Sequence, residues 1–599
     1  MRNAETVLNI IRDRGLRKLP LEDVYRQLFN PDLYLRAYGR IYANEGAMTQ
    51  GVTPETVDGM SLAKIDKIIE ALRFERYRWT PVRRIDIPKK NGKTRPIGIL
   101  TWSDKLLQEV MRSLLEAYYN PQFSDLSHGF RPGRGCHTAL REVQRTWKGT
   151  KWFIEGDVKG CFDNIDHAVL LAILREKIHD NRFLRLVENL LKAGYCEQWS
   201  YKPTFSGTPQ GAGVSPILAN IYLDKLDQFV ENTLIPENTQ GRRRRKHAEY
   251  NRICGVIERD RKRERFDRLN ELGKQLQQFP CLDPYDPDYR RLRYLRYADD
   301  FLLAFVGPKA EAEKIKERLA TFLREQLKLE LSVEKTLITH ASKDQARFLG
   351  YDIVVQVPQT KHDHRGRRTV NGTIALRVPA AFVEERCKRY VRAGVVMHRV
   401  ELINDSDFSI VAKYQSEYRG YVAYYALAQN LAWLNKVHWT LQTSLMKTLA
   451  RKHDMSVSQV ARRYKTTRQT PSGPRKCIQV TVQREGKEPL VAYFGALSLK
   501  RRLEAVLNDG PKLPQFRGTE LLKRLLANTC ELCGSERTES KIEVHHIRKL
   551  ADLKVPGRKE KPLWMRTMAS RKRKTLVLCL ECHHDLHAGH PLVTVRKSE

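Results

Sequence analysis

Two adjacent aspartates, Asp299 and Asp300, stand between two runs rich in apolar and aromatic residues, Leu292–Tyr297 and Phe301–Phe305. Such runs read as short β-strands, and aspartate is a favoured turn residue, so the segment predicts a hairpin with two carboxylates at its tip. Neighbouring carboxylates repel unless cations neutralise them. A second apolar strand, beginning at Trp152, delivers Asp157 at its end and is followed by a turn and then by Phe162. If that strand pairs beside the hairpin, three carboxylates converge, which is what two divalent ions roughly 3.5–4 Å apart need for in-line phosphoryl transfer. An isolated pair of aspartates is more often a solvated turn, so the surrounding sequence decides the matter.

The chain has 599 residues and a formal net charge of +37. On the usual prior of roughly 100–200 residues per domain, that length holds several domains. The charge exceeds what solubility needs and points to a polyanionic partner, with nucleic acid first. No apolar run approaches the roughly 18 residues of a spanning helix, so no membrane partner is expected. Glu5, Asp13, Glu22 and Asp23 argue against an acid-poor transit peptide. Of 11 cysteines, Cys136, Cys161, Cys196, Cys254, Cys281, Cys387 and Cys477 show no pairing pattern, which fits a reducing compartment. The other four form two CxxC pairs near the end of the chain, Cys530/Cys533 and Cys579/Cys582. That spacing suits one tetrahedral Zn²⁺ with an inserted hairpin and helix. His545, His546, His583, His584 and His587 crowd the same stretch, and histidines so dense beside a zinc site are seldom core residues.

Helical and strand-like segments alternate up to about Ile353, interrupted by a charged insertion, 236–291, with too few apolar positions for a core of its own. A polar, basic stretch follows and is expected to be a linker, 361–379. From there, aromatics and leucines recur at helical spacing, and Tyr414, Tyr418, Tyr421, Tyr424 and Tyr425 read chiefly as packing residues.

Tyr297-Ala298-Asp299-Asp300 between apolar runs resembles the YxDD signature of reverse transcriptases, and the segment GDVKGCF, containing Asp157 and Phe162, resembles their first aspartate block. The blocks RRIDIPKKNGKTRPIGIL, HGFRPGRGCHTAL, SGTPQGAGVSPILANIYL and LSVEKTLITHASKDQARFLGYDI stand in the family's order. The C-terminal pattern ExHHI followed by LCxxCHxxxH looks like an HNH endonuclease. Together these resemble the multifunctional proteins encoded by group II introns.

The resemblance implies a multidomain α+β architecture. Residues 1–70 would be an RNA-binding extension and the start of the fingers, 71–360 the fingers and palm, 380–465 a helical thumb or maturase domain, 466–522 a basic DNA-binding region, and 523–599 a ββα-metal domain. It implies that Asp157, Asp299, Asp300 and the Val158 carbonyl hold Mg²⁺, and that Phe162 excludes a ribose 2′-hydroxyl. Lys93 and Arg95 would reach the incoming triphosphate, with Gln210 supporting nucleotide and template. In the nuclease, His546 would deprotonate water while His545 and His587 hold Mg²⁺ or Mn²⁺. Lys574-Thr575 stands where many such nucleases carry asparagine. The implied partners are the parent intron RNA, double-stranded target DNA and deoxynucleoside triphosphates, with a homodimer among the assemblies allowed. The implied location is the bacterial cytoplasm, on the nucleoid during DNA work. A splicing factor with an inactive polymerase is the first rival, and intact Asp157, Asp299 and Asp300 oppose it. A stand-alone HNH nuclease is the second; template-dependent synthesis separates it from the polymerase reading.

Overall fold

The computed structural model describes residues 2–88, 92, 94–197, 200–202, 204, 206–207, 213–358, 364, 370–471, 473–507, 520–536, 538, 541–553 and 562–590. At its centre lies a five-stranded sheet. Its strands are β1 (Ser127–His128), β2 (Trp152–Asp157), β3 (Arg291–Tyr297), β4 (Asp300–Val306) and β5 (Ile338–His340), in the spatial order β1-β3-β4-β2-β5. β3 and β4 form the hairpin anticipated around the paired aspartates, and β2 runs antiparallel to β4 from Trp152↔Phe305 to Asp157↔Asp300. Nearly every residue of β4 is buried, because helices cover the sheet. Phe229 on helix Ser215–Phe229 stacks on Phe322 of helix Lys309–Gln326 at 4.1 Å. Gly156 is required here: a Cβ at that position would lie 2.1 Å from the Phe301 ring on the neighbouring strand.

Helices pack around this sheet from the N-terminal side. Asn30 caps helix Pro31–Ile41, its side chain accepting from Asp32 N–H, and Thr101 caps helix Trp102–Tyr119 in the same way. Helix Trp102–Tyr119 is buried on almost every side and ties the N-terminal helices to the central unit. A hairpin of Val82–Pro88 with Thr94–Ile99 lies beyond it. The insertion folds as two helices, Ala248–Lys262 and Leu269–Leu276, with Ile253 as the buried residue of the pair. Arg245 with Asp283 and a bridge between Gln240 and Arg290 tie the insertion together internally, and it is moored to the rest of the unit by Arg290 on Glu311 and by Arg244 donating to Gly149 O.

The expected linker 361–379 is not wholly a linker. Ile374–Arg377 forms a strand paired with Tyr351–Val355, since Ile374, Ala375 and Leu376 supply an apolar run that buries completely. After it come helices Ala380–Lys388, Asp407–Tyr424, Leu434–His453 and Val457–Tyr464. Tyr414, Tyr418 and Tyr425 are buried among them as packing residues. A three-stranded sheet, Lys465–Thr470, Gly473–Arg484 and Lys487–Gly495, closes over these helices. Phe494 stacks on His438 and meets Tyr414 and Tyr418, so residues 465–495 share the helical core. The C-terminal strands Ile542–His546 and Thr575–Cys579 pair antiparallel and lead into helix Leu580–Ala588. Their apolar residues join the N-terminal core, where Ile542 and Val544 sit with Tyr38, Val57 and Met60. Among the described residues no helix is long and apolar enough to cross a membrane.

Candidate active sites

The first site grows out of the β3–β4 turn. Ala298 takes a left-handed conformation at φ +55°, and the turn is clamped on both sides. Its N–H donates to His128 O at 3.0 Å, and its carbonyl accepts from Arg296 Nη1 at 2.8 Å. Arg296 is itself fully buried against a fully buried Asp227. Its Nε and Nη2 donate to Asp227 Oδ1 and Oδ2 at 2.8 and 2.5 Å, and Asn220 and Ser127 accept from the remaining N–H groups. Tyr294 OH adds a further bond to Asp227 at 2.7 Å. A buried charge is tolerable only when so paired, and here the pair fixes the turn from which Asp299 projects.

Register places Asp157 directly opposite Asp300. Burial, followed by the charges of Asp299 and Asp157, pushes the Asp300 carboxyl up to about 7, the response expected of like charges crowded in a partly buried site. The three acids share a neighbourhood but do not close into a single tight ligand group, unlike the two clusters described below. Lys335 lies among them, Nζ 2.8 Å from Asp157 Oδ2. It sits in the LSVEKT block, and its proximity to the acids was not anticipated. Val158 follows Asp157 directly in the chain. The bridge Val158↔Leu331 is bonded through Asp157 O and Lys159 N–H, which turns the carbonyl of Val158 away from Leu331.

Phe162 stands on the short helix Cys161–Asn164, its ring edge-on to Phe130 at 6.2 Å. Ser206 and Gly207 bond to Asp163 O and Ile165 O, docking that block beside Phe162. Lys93 and Gln210 lie outside the described residues, and Arg95 is described by its backbone alone, opposite Ile87.

The second site is at the C-terminus. The sulfurs of Cys530, Cys533, Cys579 and Cys582 gather within 4.8 Å of one another, and Cys533 Sγ lies 3.9 Å from Cys579 Sγ. Tetrahedral ligands at about 2.3 Å from a zinc ion stand roughly 3.8 Å apart, so the donor set fits such an ion. None of the four is in a disulfide.

Next to it, His545, His583 and His587 converge on a carboxylate from the far end of the chain, Asp58, with all four donor atoms within 4.8 Å. His583 and His587 are four apart on one helix and so share a face. Their Nε2 atoms are 3.1 Å apart. Asp58 Oδ2 lies 2.8 Å from His587 Nε2, and Oδ1 lies 3.2 Å from His545 Nδ1 and 3.5 Å from His583 Nε2. Glu543 binds His583 Nδ1 at 2.6 Å, which orients Nε2 toward the cluster. Burial alone would lower His583, but the hydrogen bonds and charges of Asp58 and Glu543 outweigh it and push the imidazole up to about 9.

His546 departs from expectation. Consecutive strand residues face opposite sides, so while His545 faces the cluster, His546 turns into the core. Its Nε2 is hydrogen-bonded to Tyr38 OH at 2.9 Å, with Tyr42 alongside. Burial pushes it down to about 3, so it is neutral, and its ring lies on the core side of the strand, away from the histidine cluster. Thr575 is paired with His546 and its hydroxyl accepts from Arg524. Sequence reasoning missed Asp58 altogether and left His583 without a role.

Comparison with known proteins agrees with this layout. Residues 87–251 and 266–353 match the family described as reverse transcriptase (RNA-dependent DNA polymerase). Residues 383–483 match type II intron maturase, and 530–583 match AI2M/AI1M-like HNH endonuclease. The chain is 39% identical over 585 residues to the group II intron-encoded protein LtrA of Lactococcus lactis subsp. cremoris, covering 94% of this chain and 95% of that protein. It is 34% identical to an uncharacterized 91 kDa protein in the cob intron of Schizosaccharomyces pombe, covering 97% of this chain and 70% of that one.

Proposed function

The chain belongs to the family of group II intron-encoded proteins, and on that premise we propose that it nicks target DNA and copies its own intron RNA onto the exposed end by target-primed reverse transcription. It is an RNA-directed DNA polymerase with an endonuclease domain and a maturase domain that implies binding of intron RNA. The observation that carries the polymerase assignment is the register that sets Asp157 against Asp300, beside the clamped turn bearing Asp299.

Asp157, Asp299 and Asp300, with the Val158 carbonyl, are the residues that would hold Mg²⁺. When bound, the ions supply positive charge that activates the primer 3′-hydroxyl and offsets charge on the departing pyrophosphate. Lys335 neutralises Asp157 and keeps a cation beside the growing negative charge. Phe162, braced by Phe130, would stand against the sugar and select deoxynucleotides. Lys93 and Arg95 would take the triphosphate, and Gln210 the nucleotide and template. The four cysteines would hold structural Zn²⁺. His545, His587 and His583 would hold the nuclease ion, Mg²⁺ or Mn²⁺.

The test uses the protein assembled with its intron RNA on end-labelled duplex DNA with deoxynucleotides. Expected is a nicked strand extended into cDNA. A variant with Asp299→Ala and Asp300→Ala should nick without extending, and His545→Ala should do neither on intact duplex. Synthesis of cDNA that is never joined to the nicked strand would overturn target priming.

A further inference from the structure

We propose that Asp58, from the N-terminal segment, is a ligand of the nuclease ion, so that the metal site of the C-terminal module is completed by a residue from the far end of the chain, 488 positions before His546. The inference rests on reading the histidine cluster as a metal-dependent nuclease site.

The distances fit. Donors about 2.1 Å from one ion stand roughly 3.0–3.4 Å apart in octahedral or tetrahedral arrangements, and Asp58 lies 2.8, 3.2 and 3.5 Å from the nearest nitrogens of His587, His545 and His583. Charge fits as well. Three neutral imidazoles leave a divalent ion with its full charge, whereas one carboxylate halves it and still leaves net attraction for a DNA phosphate.

Asp58 is held there by backbone. Gly59 N–H donates to Val544 O at 3.1 Å, and Val544 N–H donates to Met60 O at 2.9 Å, pairing the segment with the strand that carries His545. His546 N–H donates to Asp58 Oδ1 at 2.7 Å. Gly59 adopts φ +71°, a left-handed conformation that glycine takes without strain, and so lets the chain turn beside the cluster. Met60 is fully buried.

A second, independent observation points to a ligand. His545 is 4% exposed, and neither of its ring nitrogens makes a hydrogen bond; Nδ1 meets Asp58 Oδ1 at an angle unsuited to one. A buried imidazole in this condition costs free energy that coordination would recover. The cluster is nonetheless accessible: the His587 side chain is 53% exposed while that of Asp58 is 17% exposed. Water and a phosphate can approach from the His587 side.

The test measures Mn²⁺ binding by electron paramagnetic resonance and calorimetry on the full chain, with Asp299→Ala and Asp300→Ala in every sample to silence the polymerase site. Asp58→Asn keeps the carbonyl that accepts from His546 N–H and removes the charge. It should weaken the nuclease-site affinity roughly tenfold or more, and His545→Ala should abolish it. Loss in His545→Ala with full affinity in Asp58→Asn would overturn the role of Asp58 and leave the nuclease reading intact. Full affinity in both would overturn both. A measurement that needs no variant at Asp58 guards against misfolding: Fe²⁺ with ascorbate and peroxide should cut the backbone near Asp58 as well as near His545 and His587. Cuts confined to the C-terminal module would refute the shared site.

Discussion

Asp227→Ala is predicted to disable the polymerase without touching a residue that meets substrate. Asp227 and Arg296 are both fully buried, joined by two charge-assisted bonds of 2.8 and 2.5 Å, with a third from Tyr294 to the same carboxylate. Removing one partner of a buried pair costs about 3–5 kcal/mol, and the orphaned tyrosine hydroxyl adds about 1 kcal/mol. Arg296 keeps Ser127, Asn220 and Ala298 O as acceptors, which favours the lower part of that sum, about 4 kcal/mol. At about 2–4 °C per kcal/mol for a cooperative unit of about 150–250 residues, the melting temperature should fall by about 8–16 °C. The double substitution Asp227→Leu, Arg296→Met removes both charges and should recover most of that loss. It should not recover cDNA synthesis, because the donor to Ala298 O is gone and a displacement of about 1 Å at the turn can lower turnover about a hundredfold. Thermal unfolding followed by tryptophan fluorescence and primer extension on an RNA template read the two effects separately. A melting temperature for Asp227→Ala within about 2 °C of wild type, or full synthesis by the double variant, would refute the clamp.

Phe162→Ala should raise ribonucleotide incorporation relative to deoxynucleotide by roughly tenfold or more, as loss of a steric wall does, read by alkaline cleavage of the product. Cys579→Ser should lower bound zinc by one equivalent and expose residues 520–590 to protease while primer extension persists, because metal binding and folding are one process in such modules. Asp300 is pushed up to about 7 from an ordinary value of 3.8, so the folded protein holds a proton that the unfolded chain has lost. Stability attributable to this group therefore falls as pH rises from about 4 to about 7 and stays lower above that window. Asp300→Asn should remove the fall, seen as a growing gain in denaturant midpoint over wild type between those pH values. A gap that shrinks with rising pH would show the sign to be wrong.

The two carboxylate-bearing strands were legible because Asp157 and Asp300 each lie at the end of a strand of unmistakable apolar character, whereas the pairing of those distant strands rested on the resemblance until their register was seen. The four cysteines were legible from spacing alone. Asp58 was not, since nothing in the sequence around Val57-Asp58-Gly59 marks a ligand and its partners lie some hundreds of residues away; only the pairing of Gly59 and Met60 with Val544 brings it in. The opposite facing of His545 and His546 was legible in principle, since consecutive residues of a strand point to opposite sides. Ile374–Arg377 escaped notice because a four-residue strand beside a basic stretch shows too little periodicity to stand out.

Deoxynucleotide incorporation on a primed RNA template, with Mg²⁺, tests the central claim most directly when Asp157→Ala is compared with the variant carrying Asp299→Ala and Asp300→Ala. One site built from both strands predicts synthesis by the wild type and loss in each variant, with zinc content unchanged. Persistent synthesis in Asp157→Ala, or none in the wild type supplied with its intron RNA, would contradict it.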